Sequence, residues 1–307
     1  MKKISLFGIK IVVSGGLLYA IILKIDWSQL SVSVIQGDLF YLCLGVFFGV
    51  AFNLVKFMKW HNLVKVRNHT YTYWDGAKSY MIGNALGLIT PMRAGDIGRA
   101  LYFDQKERPR IIGLTIIDRL IDLAIVVMLA IGGSFTLINK GFGTLVVLLS
   151  IFILFMLYSP NIMCKAFKII IPTRFSRLNI IKGLDAFDNL DFRVITIASI
   201  LSLIAFFFVI LQFYYLVMAF EDITLLAIFL VTPLVTLSTI IPVSLMGLGI
   251  REGLSILLLS TYGVSASTAF SAAFLFFIIN NVSISIIGII HLSRIDVTTK
   301  KNNAYTS

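Results

Sequence analysis

The chain has 307 residues, of which 58% are hydrophobic and 13% charged, and a formal net charge of +11. An ordinary soluble domain carries about 25% charged residues, so this chain has too little polar surface to clothe a soluble fold. The excess charge does not point to nucleic acid, because Lys and Arg gather in short stretches beside apolar segments, the positive-inside pattern of a polytopic membrane protein.

A spanning helix needs about 20 apolar residues. Residues 4–23 qualify, and Ser14-Gly15-Gly16 lies inside that run, not after it, so the segment reads as a retained first span instead of a cleaved signal. Residues 38–58 form the next span, with Lys56 near enough to its end to snorkel and Lys59 and Trp60 at a membrane boundary. Residues 78–91 are short and polar for a span (Gly83, Asn84, Gly87) and fit a re-entrant or half-length helix. Residues 111–138 are long enough to tilt, or to bend at Gly132-Gly133, and 142–159 and 192–220 span in turn, the latter ending at Glu221-Asp222. Residues 224–241 are long enough to cross, 253–262 are too short, and 266–290 form the last span before His291 and Arg294. The expected fold is an all-α, polytopic transmembrane helix bundle of about 6–8 spans. It would be a single integral-membrane domain over residues 1–294, followed by a polar cytoplasmic tail, 295–307, that is disordered.

The basic stretches 59–77, 92–110 and 160–193 are expected to be cytoplasmic, and the poorly basic turns 24–37, 139–141 and 221–223 external, which puts both termini in the cytoplasm. Residues 78–91 must then dip in and return. Whether 224–262 crosses twice or forms an external re-entrant hairpin stays open; the second option would give an inverted repeat.

Two breaks stand out. Thr90-Pro91-Met92-Arg93-Ala94-Gly95-Asp96-Ile97-Gly98-Arg99 and Ile241-Pro242-Val243-Ser244-Leu245-Met246-Gly247-Leu248-Gly249-Ile250-Arg251-Glu252 each place a proline and glycines after an apolar stretch. Proline and glycine break helices, and broken backbone at membrane depth survives only where protein or a wet cavity covers it. Pro91, Gly95, Gly98, Pro242, Gly247 and Gly249 are therefore hinge or close-approach candidates. Arg93, Asp96 and Arg99 recur every third residue and would lie along one side of a helix, with arginine forks suited to phosphate. The alternative is an ordinary basic cytoplasmic loop.

Asp118, Arg119 and Asp122 lie about two turns inside a span, where a charge costs at least about 2.5–3.5 kcal/mol. Asp118 and Asp122 share a helix face, and Arg119 can reach Asp122 at i,i+3. They form either a self-contained ion cluster or the counter-charge for Arg93 or Arg99 in a lipid-headgroup site. Arg251 and Glu252 either pair with each other or line the second half of that site. Their Gly-Leu-Gly-Ile-Arg-Glu-Gly string fails the GxGxxG test, because Glu252 stands at the third glycine.

Asn84, Gln212, Asn280 and Asn281 read as hydrogen-bonding groups between helices. Cys43 and Cys164 read as buried thiols, with no disulfide or zinc spacing. His61, His69 and His291 have no ligand spacing, and Asp185, Asp188 and Asp191 fit one face of an exposed helix, so no metal and no cofactor are expected. No Gly-x-Ser-x-Gly elbow or Walker loop marks an enzyme.

Pro91–Arg99, Asp118–Asp122 and Pro242–Glu252, in this order and spacing, resemble the lysylphosphatidylglycerol synthase transmembrane, or flippase-like, family over about residues 5–292. The family usually has Glu where Asp96 stands, and Glu or Asp where Asp118 stands. The soluble aminoacyl-transferase domain of the multiple peptide resistance factor proteins has no counterpart here, so the resemblance implies the membrane half alone, which moves a charged lipid between leaflets. It implies an inner-membrane translocator of a lipid or lipid-linked saccharide in cell-envelope biogenesis, with an anionic phospholipid or polyprenyl-phosphate lipid as partner. The alternatives are an integral-membrane enzyme on a lipid-linked sugar, using Asp96, Asp118 or Asp122 as acid or base, and a non-transporting partner of envelope-synthesis enzymes. Scattered Gly and Ser permit helix contacts that leave oligomerisation open.

Overall fold

The computed structural model describes residues 37–66, 71–159, 191–239 and 250–294. Among them the chain is helical throughout, without a strand. The order is α1 (Leu39–Lys65), α2 (Tyr73–Ile89), a 3₁₀ segment (Pro91–Tyr102) and α3 (Arg108–Gly133), which runs on through a π turn (Ser134–Ile138). Then come α4 (Lys140–Leu157), α5 (Phe192–Met218), α6 (Leu225–Ser238), α7 (Ile250–Ser260) and α8 (Ala266–Phe277), joined by a second π turn (Ile278–Val282) to α9 (Ser283–Arg294). Among the described residues, five stretches are long and apolar enough to cross a membrane: α1, α3 with its π turn, α4, α5, and the continuous Ala266–Arg294 helix. The first span expected at 4–23, most of the basic stretch 160–193, Asp185 and Asp188, and the tail 295–307 lie outside the described residues.

Local chemistry fixes where the helices start. Asp38, Thr72, Asn139, Asp191, Thr224 and Ser265 each stand in extended backbone and accept a hydrogen bond from the first turn that follows. At Thr72 the exchange is reciprocal, since Asp75 accepts from the Thr72 backbone, a capping box. That cap starts α2 at Tyr73, ahead of the apolar run at 78–91 that hydropathy singles out.

Helix α1 packs most extensively on α5. Asp38 N donates to the Ala219 carbonyl, Gly45 meets Leu216, Gly49 meets Gln212, and Lys59 reaches Ser202. The partner number falls as the α1 number rises, so the two helices run antiparallel along their whole length. Helix α2 lies antiparallel to α9 in the same way, with Met81 against Gly288 and Asn84 bonded to Ser285. Gly133 lets the backbone of α6 at Leu230 close onto α3, which continues as a π turn where either a tilted helix or a bend at Gly132-Gly133 was expected.

The outer faces are apolar. On α4, Leu145, Leu148, Phe152 and Phe155 recur at helical spacing and are exposed, Leu148 by 63%. On α1 the exposed stripe is Phe40, Cys43, Phe47, Val50 and Leu54. Cys43 is thus not the buried thiol expected, because it shares the outward face with these apolar residues; Cys164 lies outside the described residues. Such a surface suits hydrocarbon, where packing and interhelical polar contacts hold helices together.

The first break is a hairpin. From Pro91 the chain turns back along α2 as a 3₁₀ helix: Gly95 lies on the backbone of Leu86 and Gly87, the Arg99 carbonyl accepts from Ser79, and Tyr102 donates to Asp75 at 2.5 Å. Twelve residues at about 2.0 Å each return about 24 Å, which matches the 17 residues of α2 at about 1.5 Å each. The chain therefore doubles back on itself, with the returning leg made by residues expected either on one side of a helix or in a basic loop. Gly95 is required at the tightest point, since any side chain there would run into the α2 backbone.

For the second break, α6 has 14 residues and α7 has 11. Residues 240–249 lie outside the described residues, and with them Pro242, Gly247, Gly249 and the choice between two crossings and a hairpin over 224–262.

Candidate functional site: a charged cavity inside the bundle

Helix α3 presents Asp118 and Asp122 to α1, where Lys56 and Lys59 face them one turn apart. Lys59 Nζ lies 2.6 Å from Asp118 Oδ1 and 2.6 Å from Asp122 Oδ1, and Lys56 Nζ lies 2.5 Å from Asp122 Oδ2. Ser202 of α5 donates to Asp122 Oδ1 at 2.7 Å. Lys56 and Lys59 are buried, and Trp60 beside them has no exposed surface. The snorkelling and boundary roles expected for these three are corrected: two carboxylates on the neighbouring span offer the ammonium groups a nearer partner than the interface.

The returning 3₁₀ leg supplies the next layer. Arg99 is almost fully buried, bonded to Asp118 at 2.9 Å, with its guanidinium 4.4 Å from the Trp60 ring and 4.3 Å from the Tyr80 ring. Arg119 pairs with Asp96, not with Asp122 as the i,i+3 spacing allowed, because the hairpin brings Asp96 onto its side of α3. Arg93 Nε lies 3.3 Å from the same Asp96 carboxylate. Three residues per 3₁₀ turn put Arg93, Asp96 and Arg99 on one side, as the spacing predicted. They are not in a solvated loop: Asp96 is 3% exposed and Arg99 1%.

Arg93 has φ of 55°, the one non-glycine with positive φ among the described residues. Backbone of this kind is held only where its surroundings over-determine it. Here Arg93 donates to Asn84 of α2 and, at 3.2 Å, to Asn281 of the second π turn. Those asparagines belong to a wider network, in which Asn280 donates to Gln212 at 2.7 Å and Asn53 donates to Asn280 at 3.4 Å. The expected interhelical bonds are present, and Asn84, Asn280 and Asn281 also border the cavity. Arg251 and Glu252 pair with each other at the start of α7, with Arg251 4.9 Å from the Phe277 ring.

These groups surround a cavity of about 400 Å³. Of the residues singled out from the sequence, Arg93, Asp96, Arg119, Asp122 and Arg251 line it, whereas Arg99, Asp118 and Glu252 stand behind the wall. The sequence reading missed Lys56, Asn53 and Tyr80, which also line it. The available signal was complementarity: lysines three apart on one span and aspartates four apart on another. The remaining wall is apolar, including Phe52, Leu123, Val126, Phe206, Phe213 and Phe276.

The charges do not balance among the described residues. Arg99 with Asp118, Lys59 with Asp122, Arg119 with Asp96, and Arg251 with Glu252 use every carboxylate of the cluster once. Lys56 and Arg93 then share carboxylates already paired. Buried Nε groups of Arg119 and Arg251 also lack a hydrogen-bond partner. Guanidinium forks and an ammonium around an amphipathic cavity are suited to an anion on an apolar stem. No group of three His, Cys, Asp or Glu side chains that could hold a metal ion occurs among the described residues.

A helical bundle with lipid-compatible outer faces and a charged interior defines a multi-pass membrane protein. The family model for the lysylphosphatidylglycerol synthase TM region matches residues 7–288, and the chain belongs to that family. No curated protein matches the chain.

Proposed function

We propose that the protein translocates a lipid or lipid-linked saccharide with an anionic headgroup across the inner (plasma) membrane during cell-envelope biogenesis, with both of its termini cytoplasmic. One observation carries this reading: one cavity is lined both by basic side chains with their aspartate counter-ions and by phenylalanine and aliphatic groups. A headgroup phosphate would lie on Arg93, Arg119, Arg251 and Lys56, its tails staying toward hydrocarbon. Asp96, Asp118, Asp122 and Glu252 act as counter-ions that keep the basic groups in place. Each of the three aspartates faces two cations, which suits that role better than proton transfer and favours a transporter over an enzyme. Gly95 and Gly98 permit the close approach of the first break to α2.

Leaflet exchange in vesicles tests this. The purified protein is reconstituted with a headgroup-labelled anionic lipid and the outer leaflet bleached with a membrane-impermeant reductant. The wild type is expected to bleach both leaflets. Arg93→Gln, which leaves Asp96 paired with Arg119, is expected to slow exchange at least tenfold while eluting as the same folded species. Wild-type vesicles that protect the inner leaflet for phospholipid and polyprenyl-phosphate probes alike would overturn the reading.

A further inference from the structure

The headgroup chemistry can be narrowed, resting on the translocator reading just given. We infer that the cavity is built for a dianionic phosphate monoester at the end of a lipid, in preference to a monoanionic phosphodiester. The ground is the charge count inside the bundle. When each buried carboxylate of the cluster among the described residues is assigned one cation, two cations remain, Lys56 and Arg93, and both line the cavity.

Burying charge without a counter-ion is costly, and such groups persist in protein interiors when something pairs them. A phosphodiester brings one negative charge; a phosphate monoester brings close to two near neutral pH, with its second ionisation near pH 6. Only the monoester balances both cations. Three further observations point the same way. Arg93 is held in left-handed backbone by two asparagines. Lys56 sits between the Phe52 and Phe206 rings, 5.7 and 5.4 Å from their centres, which fixes its ammonium at the edge of the apolar wall. The unpartnered Nε groups of Arg119 and Arg251 add two donors at the cavity for the oxygens of a phosphate. The apolar wall favours a lipid over a soluble phosphate, and the test separates the two.

The experiment uses vesicles of zwitterionic phosphatidylcholine with two acyl-labelled probes of identical chains, phosphatidic acid and phosphatidylglycerol, at pH 7.5. The wild type is expected to exchange phosphatidic acid at least tenfold faster than phosphatidylglycerol, with the preference shrinking as pH falls to 5.5 and the monoester loses its second charge. Lys56→Met keeps the Lys59–Asp122 pair, fits between two phenylalanines and lowers the surplus to one; it should reduce the preference to within about twofold. Lys56→Arg should retain it, which a merely structural role for Lys56 would not require. Glycerol 3-phosphate as a soluble competitor should leave exchange unchanged. Equal exchange of both probes, or a preference that survives Lys56→Met, would overturn the inference and leave the translocator reading standing. Displacement by glycerol 3-phosphate would overturn the lipid assignment. Failure to exchange either probe would overturn this inference, and the translocator reading falls with it when a polyprenyl-phosphate probe fails to exchange as well.

Discussion

Two carboxylates in this bundle have nearly the same number of partners in opposite surroundings. Asp122, on α3, holds Lys56, Lys59 and Ser202 deep among the helices. Glu221, in the turn after α5, accepts from the Ser265 backbone at 2.9 Å, from Thr268 at 2.8 Å and from the Ser265 hydroxyl, at the exposed start of α8. The contacts look alike, but the consequences differ. Water can replace what Glu221 gives up, whereas nothing in hydrocarbon replaces Asp122. The interior cluster therefore dominates stability as well as ligand chemistry, and the outer caps trim helix ends.

Breaking the interior side of this comparison should have the largest effect. Asp122→Ala strands two lysines on one remaining carboxylate, Asp118, and is expected to cost about 3–5 kcal/mol. The loss is read as a lowered thermal midpoint or lost folded yield in detergent. Leu148→Ala on the outer face of α4 is the matched control, expected within about 0.5 kcal/mol. An Asp122→Ala protein as stable as that control would mean that the cluster is not structural.

A smaller effect should come from the hairpin. Gly95→Val pushes a branched side chain into the backbone of Leu86 and Gly87 and should cost about 2 kcal/mol through overpacking. It should also weaken the placement of Asp96 against Arg119, so exchange activity should fall more than stability does. A variant that loses stability but keeps its rate would detach the hairpin from the site.

The smallest effect belongs to Glu221, and it depends on pH. Burial pushes its carboxyl up, but hydrogen bonds from Ser265 and Thr268 outweigh this and hold it below the usual range. A depressed folded value means the contribution is present above the unfolded pKa of about 4.3 and fades as pH falls through the folded one. Glu221→Gln should therefore lower the thermal midpoint slightly at pH 7, and the gap should close toward pH 3. A gap that widens on acidification would reverse the assignment.

The long helices were legible because hydrocarbon imposes one demand that composition reports directly, a run of about 20 apolar residues. That demand located α1, α4, α5 and the Ala266–Arg294 helix closely, and α3 with its continuation. It failed at the first hairpin, whose return leg is neither apolar nor α-helical. The spacing of Arg93, Asp96 and Arg99 put them along one side of a helix and carried the 3₁₀ period, but their charge left an ordinary basic loop as the alternative. The site was half legible for a related reason. An aspartate inside a span has no interface within reach, so Asp118 and Asp122 stood out at once. A lysine has a flexible stem that can reach an interface, so Lys56 and Lys59 had an innocent explanation until the neighbouring span was in place. The Arg119–Asp96 pair is tertiary, and no spacing within one helix could have announced it.

The stacking of Arg99 on Trp60 has an optical consequence. Trp60 is fully buried, donates to Ser79 at 3.3 Å, and touches the guanidinium that grips Asp118, whereas Trp74 is 63% exposed near the start of α2. An indole in that position emits from inside the charged cluster itself. Any rearrangement of Arg99 changes the field across the ring, so the protein carries its own fluorophore within one side chain of the cavity.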